Sequence, residues 1–420
     1  MMKKLYETQS MLTEHRAIVT GCYKDDTGVK ITLNESIFFP EGGGQYADKG
    51  VLEIVKSEDG SSKTVVRLLD GQEVKLANCS FIGSDENIDA DGGRVVLYSV
   101  DKEIEPGTEV LCKLDWPLRF SRMQQHSGEH VLTGLIHNTY GYNNTSFHLS
   151  DTEPVTVCFS GPLTDEQIEA VEMEANRAIY ENLPIVDTYP TKEELAGLTY
   201  RSKIEIEGQV RIITVGRKDR RIVDVCACCA PHVPSTAYVG IIKVISSQSY
   251  KGGTQLNILC GSRAFTYLRD EHRMVCGLSH DFSTSIESLP VIFTSQRDKL
   301  NEAEITLAGI REKSYLEEIE GLGEGDAPVF FAEDMSAHAM KICYNALTKK
   351  FARFCGVFSG SDEEGYRFYA GNPELDSNVL ARLMREGLEA KGGGSREMIQ
   401  GKLQKTKAEI TEFFRNTISL

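Results

Sequence analysis

The sequence predicts an α+β protein built in four parts: a small β-barrel (residues 1–112), an α+β domain (113–268), a helical linker (269–324) and a C-terminal α/β domain (325–420). Three observations predict it. Short β-prone runs separated by polar turns fill the first part. The apolar period changes from strand-like to helical after Pro117. A charged helical stretch then ends at "GLGEGDAP", beyond which strand and helix patterns alternate.

In the first part, "RAIVTGCY", "GVKITLN" and "SIFFP" read as strands, divided by "KDDTG" and "NES". A tight glycine turn, "PEGGGQYADKG", follows. "VLEIV", "TVVRLL" and "RVVLYSV" are further strands, and this spacing suits a small barrel. Pro117 suits the first turn of a helix, and the apolar positions Met123, Val131, Leu132, Leu135 and Ile136 carry it from about Arg119 to Thr139. A second helix is predicted from Thr164 to Asn182, with Thr164 as N-cap and Gln167 completing a capping box. Strands "QVRIITVG" and "RIVDV" lead into a cysteine cluster, and "VGIIKVISSQSY" and "QLNILCGSRAF" follow. From Leu289 to Glu320 the chain is helical and charged. Phe293, Leu300 and Leu307 are seven apart, as are Ala303 and Ile310, enough for a short coiled coil or a helical hairpin. The last part reads as "VFFAEDM", a helix through "MKICYNALTKKFA", "FCGVFSG", "YRFYAG", a helix through "VLARLMREGLEA", the glycine turn "KGGGSREMIQG" and a closing helix.

Composition narrows the function. Of 420 residues, 40% are hydrophobic and 26% charged, as in soluble globular proteins. No apolar run is long enough to span a membrane and the N-terminus lacks a signal-peptide core, which predicts a cytoplasmic protein with no membrane partner. A net charge of −16 argues against general charge-driven binding to nucleic acid. It leaves room for a local patch, and Arg201, Lys203, Arg211, Arg217, Lys218, Arg220 and Arg221 crowd one region. Eleven cysteines in such a chain are mostly free thiols, and the cluster "CACC" at 226–229 points to metal or redox use.

"MQQHSGEHVL" places His126 and His130 at i and i+4 of the predicted helix, on one face and one turn apart. "DVCACCAPHV" adds Cys228 and His232, on a turn that Pro231 keeps from being helical. Two imidazoles from a helix with a thiolate and an imidazole from a loop make a tetrahedral nitrogen–sulfur set suited to Zn²⁺. Cys226 and Cys229 are alternative thiols. His-x-x-Glu-His is also a pattern of one zinc peptidase class. That class needs a carboxylate as third ligand, whereas the partners here are a thiol and an imidazole. Glu129 adjoins His130 and projects about 100° away around the helix. It stands as a catalytic carboxylate or as a supporting group.

The two halves of this metal set, in this order, resemble the zinc site of the editing domain of alanyl-tRNA synthetase and of the freestanding AlaX editing proteins. "FFPEGGGQYADKG" (38–50) resembles the glycine-rich, Gln-containing motif that precedes that domain, and "VGIIKVISS" its next strand. "KGGGSREMIQG" (391–401) resembles the signature of the DHH-associated domain that ends alanyl-tRNA synthetases. The whole resembles the long form of AlaX. Two departures stand out. The usual "CGGTH" is "CCAPH", with Ala230 and Pro231 in place of Gly and Thr, and Ser395 occupies the place of a usual Arg, with Lys402 and Leu403 replacing small residues.

The resemblance implies a deacylase that hydrolyses Ser-tRNA(Ala) or Gly-tRNA(Ala) in trans, with tRNA as partner. The chain starts at the barrel, which predicts no aminoacylation core. It implies Zn²⁺ on His126, His130, Cys228 and His232. Gln45 is the polar candidate for the pocket and, with Glu129, a candidate catalytic residue. Gly42, Gly43 and Gly44 would let backbone N–H groups approach substrate. Arg122 and Gln125, one turn from the zinc histidines, are candidates to meet the terminal adenosine. Lys391, Gly392, Gly393, Gly394 and Arg396 are candidates for a phosphate-binding nest. The linker and C-terminal domain are candidates for a homodimer contact. A zinc-containing tRNA-binding protein without catalysis is the main alternative and a zinc peptidase the lesser one.

Overall fold

The computed structural model describes residues 2–55, 63–76, 79, 93–202 and 209–416. They divide into two compact units, Met1–Val275 and Cys276–Leu420.

Unit one begins with a closed barrel. Its six strands are Glu14–Asp25, Gly28–Leu33, Gly50–Val55, Lys63–Lys75, Arg94–Val100 and Glu109–Leu114. Around the barrel the first pairs with the second, then come the fifth, fourth, third and sixth, all antiparallel. Closure leaves no open sheet edge. Alternate residues point inward, and Val19, Ile31, Leu52, Val66, Tyr98 and Cys112 fill the interior. "SIFFP" departs from the expected strand. Only Glu35–Ser36 pairs, in parallel with Lys3–Lys4. Beyond it the backbone is satisfied by side chains instead of a ladder: Arg119 donates to Ile37 O (2.7 Å), Tyr98 to Phe38 O (2.8 Å), and Phe39 N donates to Asp48 (2.7 Å).

The helix Trp116–Tyr140 is the axis of the rest of the unit. Asp115 caps it by accepting from Leu118 N, and Gly141, at φ +74°, ends it. Every residue from Arg122 to Ile136 is buried. Such a helix need not be strongly amphipathic, because it is covered all round. Two glycines let neighbours press close: a Cβ on Gly128 would lie 2.3 Å from Cys260 Sγ, and one on Gly134 2.4 Å from Val223 O. A four-stranded antiparallel sheet, in the order Ile242–Tyr250, Gly253–Cys260, Val155–Phe159, Asn144–His148, packs with it. A three-stranded sheet, Ile185–Thr188, Ile212–Arg217, Arg221–Ala227, does likewise. The helix Asp165–Tyr180 carries the expected capping box of Thr164 and Gln167. A short helix, Lys192–Ala196, has a second capping box in Thr191 and Glu194 that periodicity did not reveal.

"GSRAF", read as the tail of a strand, opens the helix Gly261–Asp281. In unit two the helix Leu289–Gly321 buries only Leu289 and Ile319. Val291, Phe293, Leu300, Ile305, Leu307 and Ile310 on it are exposed. A five-stranded sheet follows, in the order Val329–Ala332, Cys355–Ser361, Gly365–Gly371, Ile399–Leu403, Lys391–Gly394, whose first pair is parallel. Helices Ala337–Lys350, Ser377–Gly387 and Lys407–Asn416 complete it. The glycine run corrects the sequence reading. Gly392, Gly393 and Gly394 are an extended edge strand paired with Gly401, Gln400 and Ile399, and the reversal falls at Ser395–Met398. A nest needs a left-handed residue, and none of the three has one. The glycines serve close approach instead: a Cβ on Gly392 would lie 2.2 Å from Gln400 O. Among the described residues no helix is long and apolar enough to cross a membrane.

Candidate metal centre

The buried helix brings His126 and His130 to one point on its surface, and the loop after Arg221–Ala227 brings Cys228 and His232 to the same point. Ligand atoms of these four side chains all lie within 4.8 Å of one another. Cys228 Sγ is 3.6 Å from His126 Nε2 and 3.4 Å from His232 Nε2. The loop is pinned from below by Arg211, which donates to Ala230 O (2.8 Å), Cys228 O (3.3 Å) and Glu7 O (2.8 Å). Ala230, one of the two departures, is fully buried against Tyr6 and Phe39. It serves packing there.

Each histidine is oriented from behind through Nδ1, at a partner on a different element. His126 Nδ1 meets Gln45 Oε1 at 3.1 Å, His130 Nδ1 meets Asp224 Oδ2 at 2.9 Å, and His232 Nδ1 meets Ser127 Oγ at 3.0 Å. A proton on each Nδ1, assigned from these partners, leaves all three Nε2 lone pairs to converge. Burial holds the His232 imidazole well below its ordinary pKa, and the neighbouring His130 and His126 add to this. It is neutral, the form that ligates a metal. Burial pushes the Cys228 thiol well above its ordinary range, with Cys229 and Cys226 adding to it, so ionising it takes a cation among these side chains. Three imidazoles, with Nε2 atoms turned inward, and one thiol that needs a cation to ionise could hold a metal ion. The Cys226 alternative is less well placed, grouped with His130 and Asp224 instead.

Asp224 was not foreseen in the sequence. Burial raises its carboxyl, but hydrogen bonds from His130 and Arg201 outweigh this and hold it below the usual carboxylate range. Arg201 donates to it through Nε (2.8 Å) and Nη2 (2.7 Å), and also to Thr133 Oγ1. Arg211, buried, and Arg201, largely buried, both counted above in a basic patch, are therefore internal ties. Arg217 pairs with Asp219, Arg221 with Glu174 and Glu181, and Lys203 lies outside the described residues.

The glycine turn lies over this cluster. Gly42 and Gln45 exchange backbone hydrogen bonds (3.1 and 2.9 Å) around Gly43 and Gly44, at φ +59° and +81°. This two-residue turn requires positive φ at both positions, hence glycine. Cβ atoms on them would meet Cys229 Sγ at 3.1 Å and Phe147 at 2.9 Å. The motif is fastened to the helix by a buried ion pair between Asp48 and Arg119 (Nε at 2.9 Å) and by Arg122, which donates to Ala47 O (2.7 Å). Arg122 also grips Asp151 (2.8 and 2.7 Å) and Gln125 pairs both ways with the Cys260 backbone (2.7 and 2.8 Å). Both are buried. They hold the scaffold and are not turned out toward a substrate.

Gln45 and Glu129, in contrast, stand at the cluster. Gln45 is buried with its Oε1 on His126, and its Nε2 has no hydrogen-bond partner among the described residues. Glu129 Oε2 is 3.9 Å from His130 Nε2, and Asn144 Nδ2 donates to its Oε1. The helix projection alone placed Glu129 away from His130. A long side chain on a helix covered all round returns to the cluster. Lys391 and Arg396 are exposed in unit two.

Residues 210–256 match the "Threonyl and Alanyl tRNA synthetase second additional domain". The chain is homologous over nearly all its length to proteins named alanyl-tRNA editing proteins. It is 27% identical over 406 residues to Aarsd1-A of Xenopus laevis, covering 94% of this chain and 89% of that protein. It is 24% identical over 432 residues to AlaX-L of Pyrococcus horikoshii, covering 98% and 96%. It is 25% identical over 417 residues to the alanine–tRNA ligase of Pyrococcus furiosus, covering 96% of this chain and 42% of that protein.

Proposed function

We propose that this protein is a trans-editing aminoacyl-tRNA deacylase that removes serine or glycine from mischarged tRNA(Ala). The observation that carries the reading is the convergence of His126, His130, Cys228 and His232, with Gln45 and Glu129 beside them, in a chain whose full-length relatives are named for alanyl-tRNA editing. A hydrophobic pocket cannot strongly reject a near-isostere, so a separate hydrolytic site is the usual remedy.

The donor set suits Zn²⁺, held by those four residues. When bound, such an ion supplies positive charge that positions or polarises groups of the ester. The chain's own residues supply the rest. Gln45 offers its unpartnered Nε2–H to the ester carbonyl oxygen or to the attacking water. Glu129, held by Asn144, is the buried carboxylate placed to accept the water's proton. Water adds to the carbonyl as Glu129 takes its proton, the bond from the acyl carbon to the ribose oxygen breaks, and Glu129 returns the proton to that oxygen, releasing the free amino acid and uncharged tRNA. The substrate is an activated ester, so orientation does much of what is needed.

The test is deacylation of Ser-tRNA(Ala), Gly-tRNA(Ala) and Ala-tRNA(Ala) by wild type and Cys228→Ala. Hydrolysis of a mischarged species, sparing Ala-tRNA(Ala) and lost in the variant, is expected. Intact mischarged tRNA at excess enzyme overturns it. Asp224 sits behind His130 and is not one of the four converging residues, which disfavours a peptidase with a carboxylate ligand.

The remaining readings belong to the same proposal. The C-terminal part is a DHH-associated domain in a four-part chain working in the cytoplasm. Lys391 and Arg396 meet tRNA as exposed charges. The exposed apolar residues of Leu289–Gly321 pair two copies of the chain.

A further inference from the structure

Unit two carries a cleft of about 670 Å³ that neither the metal centre nor the proposed chemistry uses. Its floor is the five-stranded sheet, and the register lines up three cations there. Lys402 stands directly opposite Arg367 on one neighbouring strand and Lys391 on the other. Residues paired in this way point to the same face. Neighbouring strands lie about 4.8 Å apart, so the row spans about 10 Å. All three side chains are exposed and line the cleft. The alternate residues Tyr366, Phe368 and Leu403 face the other way, into a core with Leu380 and Phe414.

Like charges directly opposite each other destabilise a sheet. A carboxylate set across the row would relieve this, and several line the same cleft. Glu333 and Asp334 come from the loop after Val329–Ala332, Glu364 from the hairpin ahead of Gly365–Gly371, and Glu389 precedes the edge strand. None is used in that way. Glu389 pairs with Lys405 (3.2 Å), and among the described residues no carboxylate stands at ion-pair distance from Arg367, Lys391 or Lys402. Arg367 donates to Met335 O (3.1 Å), a backbone contact that leaves its charge uncompensated. A row of unbalanced cations beside carboxylates that do not neutralise it marks a place for an anion that also carries hydrogen-bond donors.

Charge and size select the ligand. Three cations abreast exceed what one carboxylate balances. A phosphate monoester carries close to two negative charges near neutral pH and three acceptor oxygens, and guanidinium and ammonium groups hold it through charge-assisted hydrogen bonds. A nucleic-acid backbone suits the cleft less well, because the lining sets four carboxylates against the three cations and repels a long polyanion. A compact ligand meets both signs, with its phosphate on the row and its hydroxyls donating to Glu333, Asp334 or Glu364. The volume lies in the usual range for small-molecule pockets. We infer that this cleft binds a small phosphate monoester bearing hydroxyl groups, a sugar phosphate or a mononucleotide. Such a site lies beyond the editing reading and depends neither on it nor on the tRNA contact proposed above for Lys391.

The experiment is calorimetric titration of the full-length protein at low ionic strength, with ribose phosphate and AMP as probes and ribose as the control without phosphate. Both phosphates are expected to bind and ribose not to. Lys391→Gln with Lys402→Gln should weaken binding about 10–100-fold, and Arg367→Gln alone about 10-fold. AMP bound more tightly than ribose phosphate supports the site and makes its ligand a nucleotide; equal binding supports it and makes the ligand a sugar phosphate. No binding of either phosphate at millimolar concentration, unchanged binding in the double lysine variant, or preference for a short RNA duplex over both small phosphates overturns the inference. Without ligand the double variant should melt at or above the wild-type temperature, since it relieves like-charge repulsion. A lower melting temperature assigns the two lysines to the fold and overturns the inference as well.

Discussion

Replacing Asp224 tests how the centre is held. Its carboxylate is buried and takes three charge-assisted hydrogen bonds, one from His130 and two from Arg201. Asp224→Ala leaves the largely buried Arg201 guanidinium without its counter-charge, and breaking such a pair from one side costs about 3–5 kcal/mol. It also frees the His130 ring to rotate. Loss of a group that orients a metal-ligating histidine lowers metal affinity about 10–100-fold, or about 1.4–2.7 kcal/mol. Asp224→Asn keeps the volume and one acceptor, so both losses should be smaller. Urea unfolding of chelator-treated protein reads the first number, and competition with a chromophoric zinc chelator reads the second. A variant that binds zinc within twofold of wild type and unfolds within 1 kcal/mol of it would refute the claim that Asp224 orients His130. The sign with pH follows from the depressed carboxyl. The Asp224 contribution is present above the unfolded-state pKa of about 3.9 and is lost as pH falls through the lower folded value.

Gln45→Ala should lower kcat for deacylation about 10²–10³-fold, read in single-turnover assays, as loss of one positioned donor does elsewhere. His232 is neutral in the fold and protonates readily when unfolded. Chelator-treated protein should therefore lose stability as pH drops below about 6.5, and His232→Gln should flatten that part of a melting-temperature profile. Gly134→Ala places a Cβ against Val223 O, which backbone cannot easily avoid, and should cost about 1–3 kcal/mol in denaturant unfolding. Leu300→Asp with Leu307→Asp should convert a dimer to a monomer in sedimentation velocity, with melting of each unit unchanged.

The four converging side chains were legible because both pairs are local. His126 and His130 share a helix turn, and Cys228 and His232 a short loop. The barrel and the Thr164 capping box were legible for the same reason. What lay hidden was long-range. Asp224 reaches His130 and Ser127 reaches His232 across about a hundred residues, a separation at which spacing carries no signal. Asn144 sits in an unremarkable polar run. Arg122 and Gln125 were misread because a charged or amide residue on a helix is usually exposed, whereas this helix is enclosed and must satisfy such groups against backbone. The 392–394 glycines were misread because glycine more often marks a turn than a strand whose neighbour approaches too closely for a Cβ.

The Nδ1 partners carry a consequence for how the molecule is made. Gln45 comes from the barrel, Ser127 from the helix and Asp224 from a strand almost a hundred residues later, so the three imidazoles align only when all three segments have arrived. During synthesis His126 and His130 emerge long before Asp224, Cys228 and His232. If the four residues hold a metal ion as proposed, the complete ligand set exists only in the finished chain, and slow release of the ion is the expected sign of completed assembly.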